Sequence, residues 1–284
     1  MMALVSRNLK VYFRDKASVF FSLMAVFIIF ALYLLFLGDV WISNLPQVSG
    51  AKALMDSWII AGLLAVTSVT TVMGAFGTMV DDRAHKIIKD FDASPISKGK
   101  IVGGYELASF LIGTLMSLLT FALGELYIVV RGGALLAPVA MLQIVGLVLL
   151  SSLCNTALIS FLISFFKSQN AFGTASSILG TLVGFLTGIY MPIGMLPGAV
   201  QTVIKVFPVS HAALLMRQTM MAEPMKQVFG NAPQGITQGF EDMMGLVFRF
   251  GDQAVPVAIS LVILVGTAVL FYGLSILRFS QKSR

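Results

Sequence analysis

The chain has 284 residues, 57% of them hydrophobic and only 11% charged, with a mean hydropathy of +0.92. Soluble domains carry roughly a quarter of their residues as Asp, Glu, Lys and Arg, so a soluble enzyme, a disordered regulator and a secreted disulfide scaffold are excluded and the bilayer is the expected solvent. The single cysteine, Cys154, excludes an intrachain disulfide or a cysteine metal cluster, and the net charge of +6 fits basic residues gathered on one membrane face better than nucleic-acid binding.

In chain order, Val5, Leu9, Tyr12 and Phe13 recur at helical spacing while Arg7, Lys10 and Arg14 take another face. That pattern predicts an amphipathic interfacial helix over residues 1–16, a solvated tail being the plainer alternative. Spanning helices need about 20 mostly apolar residues. Six such runs occur: Ala17–Leu37, Trp58–Val80, Tyr105–Val130, Pro138–Phe166, Ala171–Tyr190 and Pro256–Leu277. The first is too long for the core of a signal peptide, about 7–15 residues, and reads as a retained anchor. Residues 1–284 thus read as one all-α transmembrane domain with six helices.

An N-terminus in the cytoplasm puts 13 of the 19 Lys and Arg residues inside and 6 outside, which agrees with the positive-inside rule. The inner set includes Arg83, Lys86, Lys89, Lys98, Lys100, Lys167, Arg278, Lys282 and Arg284. Both termini are then cytoplasmic.

Residues 81–104 form the longest cytoplasmic loop. Within it Ile87, Ile88 and Phe91 share one face of a short helix that stops before Pro95. A small apolar face with a charged rim suits docking to a soluble partner, or else the helix lies on its own membrane domain. In the fifth run Ser176, Gly180, Gly184 and Gly188 recur every four residues, a spacing that lets helix backbones approach closely in lipid. The spacing fits a dimer seam and intrachain packing equally. Residues 191–255 hold five of the nine prolines. Pro192 and Pro197 break the fifth helix, and Lys205, Pro208, His211 and Arg217 interrupt the apolar stretch Ala199–Met221. A re-entrant helical hairpin with an outer amphipathic helix is expected there, followed by an external loop or small cap over Ala222–Gln253.

Ionisable residues within spans are functional candidates by default. The runs contain Glu106 and Glu125, about 28 Å apart along one helix, so each is expected to reach an interface, Glu125 beside Arg131. Asn155, Thr156 and Gln143 are expected to bond between helices. No Gly-x-x-x-x-Gly-Lys-Ser/Thr run occurs; Gly99-Lys100 is the nearest echo, with Ser94 where the first Gly would stand. His-Glu-x-x-His, Cys-x-x-Cys and Gly-x-Ser-x-Gly are also missing, and His85 and His211 fall on opposite sides of the membrane.

Three segments, in their order and spacing, resemble the type-2 ATP-binding-cassette (ABC) exporter permeases over essentially the whole chain. They are Lys89-Asp-Phe-Asp-Ala-Ser-Pro-Ile-Ser97, Gly188-Ile-Tyr-Met-Pro-Ile-Gly-Met-Leu-Pro197 and Phe207-Pro-Val-Ser-His-Ala-Ala-Leu-Leu-Met-Arg217. The resemblance implies a permease in the plasma membrane of a bacterium, without its own ATPase site. Two copies of an ABC ATP-binding subunit would hold ATP and Mg, and a second permease copy or a sister permease would complete the assembly. It further implies that Ile87, Ile88, Phe91, Asp92, Ser94 and Pro95 form the coupling helix entering that subunit. Asp81-Asp-Arg-Ala stands where many members carry Glu-Arg-Glu-Arg-Gly-Thr, and Ala222–Gln253 is longer than in compact members. The expected cargo is a drug, antimicrobial compound or lipid-like molecule. Export of a lipid-linked polysaccharide is the alternative, disfavoured by only two Trp and six Tyr against 22 Phe. A secondary transporter or channel is disfavoured by the uncharged mid-depth runs.

Overall fold

The computed structural model describes residues 1–38, 40, 50–166, 168–251 and 253–281. Lys167, Lys282 and Arg284, assigned above to the cytoplasm, lie outside the described residues. The chain opens with α1 (Met2–Arg14), which buries Val5, Asn8 and Tyr12 along one stripe. A single helix does not run on into the first span. Asp15 interrupts it, its carboxylate accepting the backbone N–H of Ser18 at 3.1 Å and so capping α2 (Lys16–Ser22). Next comes α3 (Met24–Leu32), which continues through a π-helical turn, Tyr33–Leu37. The two halves of this first span meet at 43°.

At the centre stands α4 (Ala51–Ala84), apolar on all sides and buried on nearly all of them. Its 34 residues make a rod of about 51 Å, well beyond a hydrocarbon core of about 30 Å. The Trp58–Val80 expectation is therefore too short at both ends. After a turn comes α5 (Ile88–Asp92), and then α6 (Lys98–Val130) and α7 (Pro138–Ile163). Pro138 opens α7 at its first turn, where no N–H is needed. Around α4 pack α6, α7, α8 (Gln169–Leu186) and α10 (Pro208–Met220).

Within this core polar groups stitch helix to helix. Asn155 Nδ2 donates to Ser68 Oγ at 2.8 Å, and Ser68 and Ser151 hydroxyls lie 2.9 Å apart. Thr156, in contrast, bonds the carbonyl of Ser152 in its own helix at 2.7 Å. Leu35, Leu115, Leu142, Leu153, Val262 and Val269 point outward and form part of the lipid-facing belt.

By length and composition four described helices can cross a membrane: α4, α6, α7 and α13 (Val257–Gln281), the last over Val257–Arg278. Two bent helix pairs, Lys16–Ser22 with Met24–Phe36 and Gly198–Val206 with Pro208–Met220, bring the number to as many as six if each pair is one span. The fifth apolar run departs from expectation. The helix there, Gln169–Leu186, has only 18 residues, about 27 Å; Gln169, Asn170 and Thr174 make its first turns polar; and Gly188, with φ +67°, stops it short of Tyr190.

The helix of the fifth run, α8, is ended by Gly188 and not by Pro192 or Pro197, which instead stand at the starts of the elements that follow. Pro192 precedes one 3-10 turn (Ile193–Met195), Pro197 caps α9 (Gly198–Val206), and Pro208 starts α10, which meets α9 at 86°. Two amphipathic helices, α11 (Ala222–Phe229) and α12 (Gln234–Met244), then form a small cap where a loop was an open possibility. A two-residue ladder of β1 (Arg249–Phe250) and β2 (Gln253–Ala254) leads into α13. The architecture is that of an all-α membrane protein.

Candidate functional site

At the end of the bundle where α1 packs, three helices are tied through one carboxylate. Asp82, buried because α4 outruns its apolar stretch, takes both Arg7 guanidinium nitrogens (Nη2 to Oδ1 at 2.8 Å) and the Tyr105 hydroxyl. This links α1, α4 and α6. Hydrogen bonding to Asp82 raises the Arg7 pKa above its ordinary value. Arg7 also sits over the Phe91 ring, 5.7 Å from its centroid.

The expected coupling face is thereby divided. Phe91 turns half inward against the core, Ile88 is half-buried, and Ile87 and Ile96 remain exposed. Ser94 Oγ donates to the Phe91 carbonyl at 2.6 Å and finishes α5, Pro95 is exposed, and the side chain of Asp92 is not among those described. Lys86, at φ +62°, makes the turn into α5.

The stripe on α8 is also divided. Among the described residues, Gly180 has open space beside its α-carbon and Ser176 Oγ has no hydrogen-bond partner. Gly184 is covered by the ring of Tyr190 from the same chain, and Gly188 lies beyond the helix as its left-handed terminator. Ser176 and Gly180 face a groove of about 740 Å³ between α8 and the first span. Phe21, Met24, Ile28, Met73, Phe172 and Tyr190 supply much of its apolar lining.

The buried acids differ from those anticipated. Glu106 and Glu125 are both buried among the helices. Glu106 accepts from the Ser160 hydroxyl at 2.5 Å, and Glu125 from the Leu136 backbone N–H at 3.0 Å. Arg131 does not pair with Glu125; its Nε lies 4.0 Å from Asp56, which also accepts from the Tyr33 hydroxyl at 2.8 Å. Asp56 and Asp82 were missed because they flank the apolar run; tertiary partners, not local sequence, make them inward-facing.

His211 is fully buried between Ser260 Oγ and the Lys205 carbonyl, each at 2.9 Å, with its ring against Phe248. It ties α10 to α13 and to the end of α9. Six residues on, Arg217 is wholly buried with its guanidinium 4.5 Å from the Trp58 ring centroid. Among the described residues no group of three His, Cys, Asp or Glu side chains is placed to hold a metal ion.

Compared with known proteins, residues 47–277 match the model of a family described as ABC-2 family transporter protein. No curated protein gives a match.

Proposed function

The chain belongs to the ABC-2 transporter family, and on that premise we propose that it is half of an exporter's membrane domain for hydrophobic or amphiphilic molecules. A membrane subunit of this family works with a separate ABC ATP-binding subunit. In the proposed assembly two such subunits hold ATP and Mg, and a second copy of this chain or a sister permease completes a dimer in the plasma membrane with its termini in the cytoplasm. A drug, an antimicrobial compound or a lipid-like molecule would leave the cytoplasm or inner leaflet through it.

The groove between α8 and the first span carries this reading. Its walls combine Phe and Met side chains with Ser and Thr hydroxyls, and Asp81, at one end, is its one charged lining residue among those described. Such a surface accepts an apolar chain with a small polar group and offers little to a sugar polymer. The α5 turn, with Ile87 and Ile96 outward, is the surface proposed to enter the ATP-binding subunit. The test is reconstitution with that subunit in lipid nanodiscs. Stimulation of ATP hydrolysis by an amphiphile, lost when the groove is filled by Gly180→Phe, supports the proposal; stimulation unchanged by the substitution counts against it.

A further inference from the structure

Arg217 lies near the cap, yet none of its guanidinium nitrogens has a hydrogen-bond partner among the described residues. Arg keeps its proton in proteins, and a buried charge is tolerated when an opposite charge or several acceptors answer it. The Trp58 face answers it only in part.

The surroundings have left room for the group. A β-carbon at Gly62 would stand 3.2 Å from Arg217 Nη2 and 2.9 Å from Ile189 Cδ1. One at Gly245 would stand 3.4 Å from Nη1 and 2.8 Å from Ile193 Cδ1. Two bare glycines thus border the guanidinium, and the Ile189 and Ile193 side chains lie against the same two glycines. Both isoleucines belong to the connection after α8, which contains the left-handed Gly188 and a single 3-10 turn. On one side of this connection Tyr190 lines the groove. On the other, Ile193 and Gly194 line a separate cavity of about 460 Å³ that also holds Gln201, Lys205 and Arg249.

We propose that Arg217, stacked on Trp58, receives the anionic headgroup (phosphate or carboxylate) of the transported amphiphile as it passes from the groove toward that cavity, with Ile189 and Ile193 moving aside. The planar fork of N–H donors matches two oxygens of such a group, and beyond it the cavity is lined by Lys205 and by the Arg249–Asp242 ion pair. This names the substrate class of the proposed exporter and rests on that reading.

Trp41 and Trp58 are the chain's two tryptophans, so Trp41→Phe leaves Trp58 as the sole reporter beside the guanidinium. The permease, with its ATP-binding subunit, is placed in phosphatidylcholine nanodiscs and titrated with dodecyl phosphate, dodecyl maltoside and inorganic phosphate. Dodecyl phosphate should shift Trp58 emission at about tenfold lower concentration than dodecyl maltoside, the discrimination of one charge-assisted contact. Arg217→Gln should erase that difference and Arg217→Lys restore part of it. If Arg217→Gln fails to fold, the comparison on the Arg217 protein decides. Equal response to the two detergents, or the full response with inorganic phosphate alone, overturns the proposal. Loss of ATP-driven export for every amphiphile, with the Trp58 response intact, would sink the export reading and leave the anion site standing.

Discussion

Removing Arg7 should loosen the junction of α1, α4 and α6 by an amount that its geometry sets. Breaking a fully buried ion pair costs about 3–5 kcal/mol, and an exposed pair contributes less than about 1 kcal/mol. Here the Asp82 side chain is 4% exposed and that of Arg7 33%, so screening reduces the loss to about 2 kcal/mol. The Tyr105 hydroxyl still donates to Asp82 after Arg7→Ala, which keeps the cost from the upper range. Asp82→Asn removes the charge while preserving shape. A double-mutant cycle on these two positions, read by reversible unfolding in mixed micelles, should return a coupling energy of about 1 kcal/mol or more. Hydrogen exchange should rise in α1 and at Phe91, which loses its guanidinium cover. A coupling energy within about 0.3 kcal/mol of zero would refute the reasoning, because the three helices would then be held by apolar packing alone.

Further expectations follow from single contacts. Gly184→Ala should lower the melting temperature, since the new methyl collides with the Tyr190 ring, whereas Gly180→Ala, with open space beside it, should not; equal thermal shifts would count against the packing described. Ile87→Asp should reduce amphiphile-stimulated ATP hydrolysis without changing stability, while Phe91→Ala should also cost about 1 kcal/mol of stability from its half-buried ring. In a Cys154→Ala background a cysteine at Ser97 should resist an impermeant thiol reagent applied from outside and one at Gln234 should react; reversal of that pattern overturns the orientation.

The long apolar runs were legible because bilayer thickness dictates their length. So were the helix starts at Pro197 and Pro208, where the missing N–H and the ring favour a boundary, whereas the end of α8 is set by Gly188 ahead of Pro192. Hidden from the sequence was everything decided by a distant partner. Lys52 and Asp56 looked like loop residues, yet α4 extends through both because Tyr33 supplies Asp56 with a hydroxyl. Asp82 likewise depends on Arg7, 75 residues away. The four-residue spacing of Ser176, Gly180, Gly184 and Gly188 suggested one stripe. Local backbone geometry at Gly188 and the fold-back of Tyr190 gave its members different surroundings. Arg217 resembled an interruption in an apolar stretch; Gly62, on α4, and Gly245, just past α12, leave the room its buried guanidinium occupies.

The most direct measurement is ATP-driven movement of a fluorescent amphiphile in inside-out vesicles carrying this chain and its ATP-binding subunit. The probe should accumulate inside the vesicles with ATP, and should fail to do so when the ATP-binding subunit is catalytically inactive or when Ile87→Asp disrupts docking. Accumulation that persists without ATP hydrolysis, driven by an ion gradient alone, would contradict the assignment of this chain as an ATP-powered exporter permease.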